Sequence, residues 1–101
     1  MTAIPETVVP AAAPGHDFRL TAWQRDTSSE SLLVMVHGLG CSKQSFAGAW
    51  SEPRLRDWAM LAPDLPGFGR SPKPEHFSYD LKQQARVVAS LLDQRASRRV
   101  H

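Results

Sequence analysis

Two short stretches hold the residue types that could do chemistry: His37-Gly38-Leu39-Gly40-Cys41-Ser42 and Asp64-Leu65-Pro66-Gly67-Phe68-Gly69-Arg70-Ser71. Gly38 and Gly40 carry no Cβ, so the backbone there can turn sharply and approach a ligand closely. A helix is predicted to start at Ser42, and the first N–H groups of a helix lack internal acceptors. Amides arranged in this way suit a developing negative oxygen, as in acyl transfer. A phosphate cradle would want a longer glycine-rich loop closed by Gly-Lys-Ser/Thr, and Gly40-Cys41-Ser42-Lys43 does not match it.

The remaining reactive side chains read as structural. Cys41 has no second histidine placed to activate it, so a buried or half-exposed loop thiol is expected. Ser45 and Ser71 sit outside any strand–serine–helix elbow, and neither is read as a nucleophile. His16, His76 and His101 lack paired ligands at metal spacing and read as surface histidines. Trp23, Trp50 and Trp58 read as core aromatics, not a ligand cage. These residues call for no metal and no cofactor.

The elements that must position the two stretches follow from hydrophobic period. Residues 1–15 carry Pro5, Pro10, Pro14 and the run Ala11-Ala12-Ala13 and read as a loose leader, with Thr7-Val8-Val9 a weak first strand. From Asp17 to Trp23 the pattern alternates, with Phe18, Leu20 and Ala22 on one face, the period of a half-buried strand. Leu32 to Val36 is a continuous apolar run, which predicts a central parallel strand covered on both faces. Ser42 to Trp50 can form a helix, Pro53 restarts a short helical piece, and Trp58 to Ala62 reads as a second buried strand. The segment after it, Asp64 to Pro72, is too rich in Gly and Pro to be regular. An amphipathic helix closes the chain, with Ser78 as cap and Leu81, Ala85, Val88 and Leu92 as its buried stripe.

Strand, helix, strand, helix describes a parallel α/β unit, here one domain over residues 16–101. Both conspicuous loops leave the carboxyl ends of strands, the side on which α/β sheets bind ligands. Composition is that of a globular protein, 42% hydrophobic and 22% charged with a net charge of +2. The excess collects in Arg95, Arg98 and Arg99, with no interleaved aromatics, which argues against a nucleic-acid partner. No apolar run approaches the roughly 20 residues of a bilayer span, so no membrane partner is expected. A single cysteine and no signal-peptide pattern point to the cytoplasm.

The run Leu32-Leu33-Val34-Met35-Val36-His37-Gly38-Leu39-Gly40, followed by Leu61-Ala62-Pro63-Asp64-Leu65-Pro66-Gly67-Phe68-Gly69-Arg70-Ser71, resembles the α/β-hydrolase superfamily, in particular its esterase-like members. The resemblance implies a partial α/β-hydrolase fold: a mostly parallel sheet with flanking helices, ending before the nucleophile elbow. It implies that Leu39 supplies one oxyanion-hole N–H. It also implies that His37, with Gly38 and Gly40, orders the loop, and that Asp64, Gly67, Gly69 and Ser71 shape the pocket wall. No Gly-x-Ser-x-Gly occurs in the 101 residues, so nucleophile, acid and catalytic histidine are expected downstream and the chain is expected to be inactive alone. The implied whole is a hydrolase of small-molecule esters or thioesters using a Ser-His-Asp/Glu triad. The alternatives are an epoxide or haloalkane hydrolase with an Asp nucleophile, or a non-catalytic remnant or binding module on the same scaffold. The Leu32–Val36 strand is expected to lack one neighbour, which predicts a marginal, aggregation-prone species.

Overall fold

The computed structural model describes residues 4–101 and contains one five-stranded sheet. Strands β1 (Glu6–Ala13), β2 (His16–Arg25), β3 (Ser31–Val34), β4 (Ala59–Pro63) and β5 (Arg99–Val100) lie in the order β1-β2-β4-β3-β5. β1 and β2 form an antiparallel hairpin with β2 also antiparallel to β4, while β3 runs parallel to both β4 and β5. A short helix α1 (Ala47–Trp50) lies between β3 and β4, and α2 (Leu81–Asp93) lies between β4 and β5.

The first strand corrects the reading of residues 1–15 as a loose leader, of which 1–3 lie outside the described residues. Its register pairs Ala13 with His16, so Pro14-Gly15 is a two-residue connection. Proline fixes φ at the first turn position and Gly15, at φ +80°, takes the left-handed conformation that the second requires. Pro10 costs the sheet no bond that matters, because β1 is an edge strand and a missing N–H there can face outward. The three alanines that suggested a leader are instead small enough to pass beneath α2, where Ala11 and Ala13 are buried. Ala12 N–H donates to Ser90 Oγ at 2.9 Å and Gln94 Nε2 donates to the Pro10 carbonyl at 2.9 Å, fastening the helix to this edge.

One face of the sheet carries the core. Val9, Ala11, Ala13, Phe18, Leu20, Ala22, Leu32, Ala59 and Leu61 alternate along their strands and meet Val87 and Leu91 of α2, with Phe77 closing one side. The helix therefore presents Gln84, Val87 and Leu91, not the Leu81–Ala85–Val88–Leu92 stripe that spacing suggested. Leu81 is 78% exposed. Both stripes share the Val88–Leu92 neighbourhood, and tertiary placement decides between them. The Gln84 amide donates to the Pro66 carbonyl at 2.9 Å and turns the helix onto that side. Asp80, not Ser78, caps α2 by accepting from Gln83 N–H, while Ser78 Oγ donates to Asp80.

The second face is covered unevenly. Trp23 and Met60 are buried, and Trp50 of α1 meets Trp23 edge-on at 5.7 Å. Arg25 holds the short helical pieces in place by donating to the carbonyls of Trp50 (2.7 Å) and Leu55 (3.1 Å). The expected helix from Ser42 is a 3₁₀ turn over Lys43–Phe46 followed by α1, and Pro53–Leu55 is a second 3₁₀ turn. Further along, the expectation that Leu32–Val36 is covered on both faces does not hold. Leu32 is buried, Leu33, Val34 and Met35 are half-buried, and Val36 is 43% exposed. Trp50 of α1 packs against Trp23 of β2, and the 3₁₀ turn before α1 lies against β4. β3 is nonetheless paired on both sides, by β4 and by β5.

Candidate active site

β3 and β4 are parallel neighbours, so the loops that follow them emerge at the same rim of the sheet. The structure brings these two loops into direct contact. The His37 ring, 6% exposed, accepts from Leu65 N–H through Nε2 at 3.0 Å. Nδ1 must then carry the proton, which it donates to the Gly38 carbonyl at 2.9 Å. Both ring nitrogens are engaged in holding backbone. Phe68 packs edge-on against the ring at 5.4 Å.

Beyond His37 the chain makes a tight turn. Cys41 N–H donates to the Gly38 carbonyl at 3.1 Å, and Gly40, third in this turn, has φ +76°. Leu39 occupies the second position with its side chain 78% exposed. Among the described residues, the Leu39 N–H has no protein acceptor. Cys41 is exposed, where a buried or half-exposed loop thiol was expected.

The turn ends at Lys43, which sequence reasoning passed over. Its side chain is 1% exposed, and its Nζ lies 2.6 Å from Asp64 Oδ2, 3.1 Å from Glu6 Oε2 and 5.7 Å from the centre of the Trp23 ring. Its backbone N–H donates to Asp64 Oδ1 at 2.7 Å. Asp64, fully buried, also accepts from Thr21 Oγ1 and from Arg70 N–H, each at 3.0 Å. Burial by itself would push the Asp64 carboxyl up. The bonds from the Lys43 amide and ammonium, the Arg70 amide and the Thr21 hydroxyl outweigh it and hold the carboxyl below its ordinary value.

Asp64 and Ser71 fasten the loop internally, with their polar atoms bonded inward. Ser71 Oγ donates to the Asp64 carbonyl at 2.6 Å and accepts from Thr21 N–H at 3.0 Å. Gly69 passes so close to the carboxylate that an added Cβ would lie 2.6 Å from Oδ1 and nearer still to Cγ and Oδ2. Gly67, at φ +90°, would place a Cβ 2.6 Å from Tyr79 Cε1. No group of three or more metal-ligating side chains occurs among the described residues, and no helix is long and apolar enough to cross a membrane.

The alpha/beta hydrolase family matches residues 33–101. The chain belongs to that family. A mesoderm-specific transcript protein of Mus musculus is 36% identical over 64 residues, covering 63% of this chain and 19% of that protein. A variant of a haloalkane dehalogenase from Agrobacterium tumefaciens C58 superposes with a TM-score of 0.69 at 25% identity, over 94% of this chain and 31% of that one. A membrane phospholipase A superposes with a TM-score of 0.68 at 29% identity, over 95% of this chain and 30% of that one. The chain spans about a fifth of the curated relatives and under a third of these solved structures.

Proposed function

We propose that the chain forms part of a hydrolase acting on small-molecule esters or thioesters, in which the Leu39 N–H is one donor to the oxyanion. The observation that carries this reading is an unclaimed amide in a turn whose two ends are bonded to the same segment, Asp64-Leu65. Such a donor is already oriented before charge develops, so little reorganisation opposes its use in the transition state. His37 is a holder of this loop and not a general base, since both its nitrogens are bonded to backbone. A serine nucleophile, its acid and its histidine would be supplied from outside these residues, in a cytoplasmic setting.

The likeness to a phospholipase supports the ester reading. The likeness to a haloalkane dehalogenase favours a second one, an Asp nucleophile acting on a carbon–halogen bond or, by similar chemistry, an epoxide.

Hydrolysis of p-nitrophenyl butyrate tests the proposal. The 101-residue chain is expected to release no p-nitrophenol above buffer. Turnover that is lost on Ser45→Ala or Ser71→Ala would contradict it. In a longer gene product carrying this segment ahead of a Gly-x-Ser-x-Gly elbow, Leu39→Pro is the decisive change. Proline suits the second position of a turn and removes only the N–H. Loss of one oxyanion donor lowers kcat about 10²–10³-fold, so Leu39→Pro should fall that far below Leu39→Ala. Equal kcat in the two variants would refute the assignment.

A further inference from the structure

A lysine whose ammonium is 1% exposed needs a reason. Taking a charge out of water costs several kcal/mol, and an apolar side chain of similar length would fill the same space without that cost. Here the three directions open to the ammonium are taken by the Asp64 carboxylate, the Glu6 carboxylate and the face of Trp23. The same Asp64 carboxylate holds the Lys43 backbone N–H through its other oxygen. Residue 43 is gripped at its main chain and at its tip by one buried group. A grip at the tip alone would leave the backbone free to rotate about the long lysine stem. A grip at both ends fixes where the turn stops.

The opposite end of the turn is fixed by His37, bonded to Leu65, the residue after Asp64. Gly38 to Ser42 therefore span two posts planted in adjacent residues at the end of β4. Glu6 extends the arrangement to the first strand. Its Oε2 meets Lys43 and its Oε1 meets Arg70 Nε at 3.0 Å, while Arg70 N–H donates to Asp64. Both rim loops are thereby tied to β1.

We propose that Lys43 is a positioning residue that sets the geometry of the 38–41 turn through Asp64, and that Glu6 couples this turn to the docking of β1. That the turn serves an oxyanion rests on the function proposed above. That Lys43 holds the turn does not.

The test is backbone order by ¹⁵N relaxation at Leu39, Gly40 and Cys41 in the chain, with Ala22 and Leu61 as strand references. Ordered backbone gives an order parameter near 0.85 and flexible backbone gives below about 0.6. Lys43→Met is expected to take the turn from the first range to the second while the strand values stay high. Glu6→Gln, at the partly exposed end of the network, is expected to lower the turn to roughly 0.7 and keeps the test alive if Lys43→Met does not fold. Leu91→Ala is the control, since it opens a cavity on the other face of the sheet and touches none of these groups. A turn that stays rigid in Glu6→Gln and in any folded Lys43→Met, or one that loosens equally in Leu91→Ala, would overturn the proposal. The ester assay with Leu39→Pro can fail while this result stands, and the reverse also holds, so the two claims fail separately.

Discussion

Replacing Gly69 by alanine attacks the buried carboxylate without touching a charged residue. Two costs arise. Gly69 has φ +53°, and an L-residue held in the left-handed region loses roughly 1–2 kcal/mol. The new Cβ also falls 2.6 Å from Asp64 Oδ1 and closer to Cγ and Oδ2. Asp64 cannot step aside, because four donors from three other segments converge on it: the Thr21 hydroxyl, the Lys43 amide and ammonium, and the Arg70 amide. Relief requires giving up one or two of those bonds, each worth about 1.5–3 kcal/mol when the acceptor is charged. Gly69→Ala should therefore cost roughly 2.5–8 kcal/mol in total. Gly15→Ala supplies the matched control: its φ is +80°, and nothing lies within 4 Å of the added Cβ. That change should cost only the conformational share, roughly 1–2 kcal/mol. Urea unfolding followed by far-ultraviolet circular dichroism reads both, and a domain of this size shifts its melting temperature about 4–8 °C per kcal/mol. Gly69→Ala should also lose more of its sheet signal at any given temperature. If the two variants unfold within about 0.5 kcal/mol of each other, the carboxylate is not the rigid post described here.

Three further outcomes follow from the same contacts. Imidazole ¹⁵N shifts should show His37 as the Nδ1–H tautomer, and an Nε2–H signal would break its bond from Leu65. Asp64 is held below its ordinary value of 3.8, so its contribution to stability is present above that pH and is lost as pH falls through the lower folded value. Asp64→Asn should accordingly flatten the acid limb of stability against pH, and an unchanged limb would place the titrating group elsewhere. Leu91→Ala should cost about 2–5 kcal/mol by opening a core cavity, whereas Leu81→Ala, at an exposed position, should stay within about 0.5 kcal/mol. The reverse order would restore the stripe that spacing alone suggested.

Much of this was legible before any coordinates. The Leu32 run, the Trp58–Ala62 run and the two glycine loops placed β3, β4 and their shared rim, because buried parallel strands and positive-φ glycines leave local marks in sequence. β1 showed only as a weak strand at Thr7-Val8-Val9, because an edge strand tolerates Pro10 and uses small alanines under a helix, and both features imitate a loose leader. The rotation of α2 escaped because its apolar residues fill two adjacent stripes, and the choice depends on the Gln84 bond to Pro66, 18 residues away. Lys43 and Glu6 escaped for a similar reason. A lysine ordinarily marks a solvated face, and the partners that bury this one lie 21 and 37 residues away, just after β4 and on β1. The one local hint was that Lys43 directly ends a turn whose other post is a buried histidine.

The 37–43 loop is locked to the end of β4 while the Leu39 amide stays free to donate. Amide hydrogen exchange on the chain reads this directly. Cys41, Lys43 and Leu65 should be protected, since each donates within the rim, and Leu39 should exchange at the rate of an unprotected peptide. A protected Leu39, or a loop exposed throughout, would contradict it.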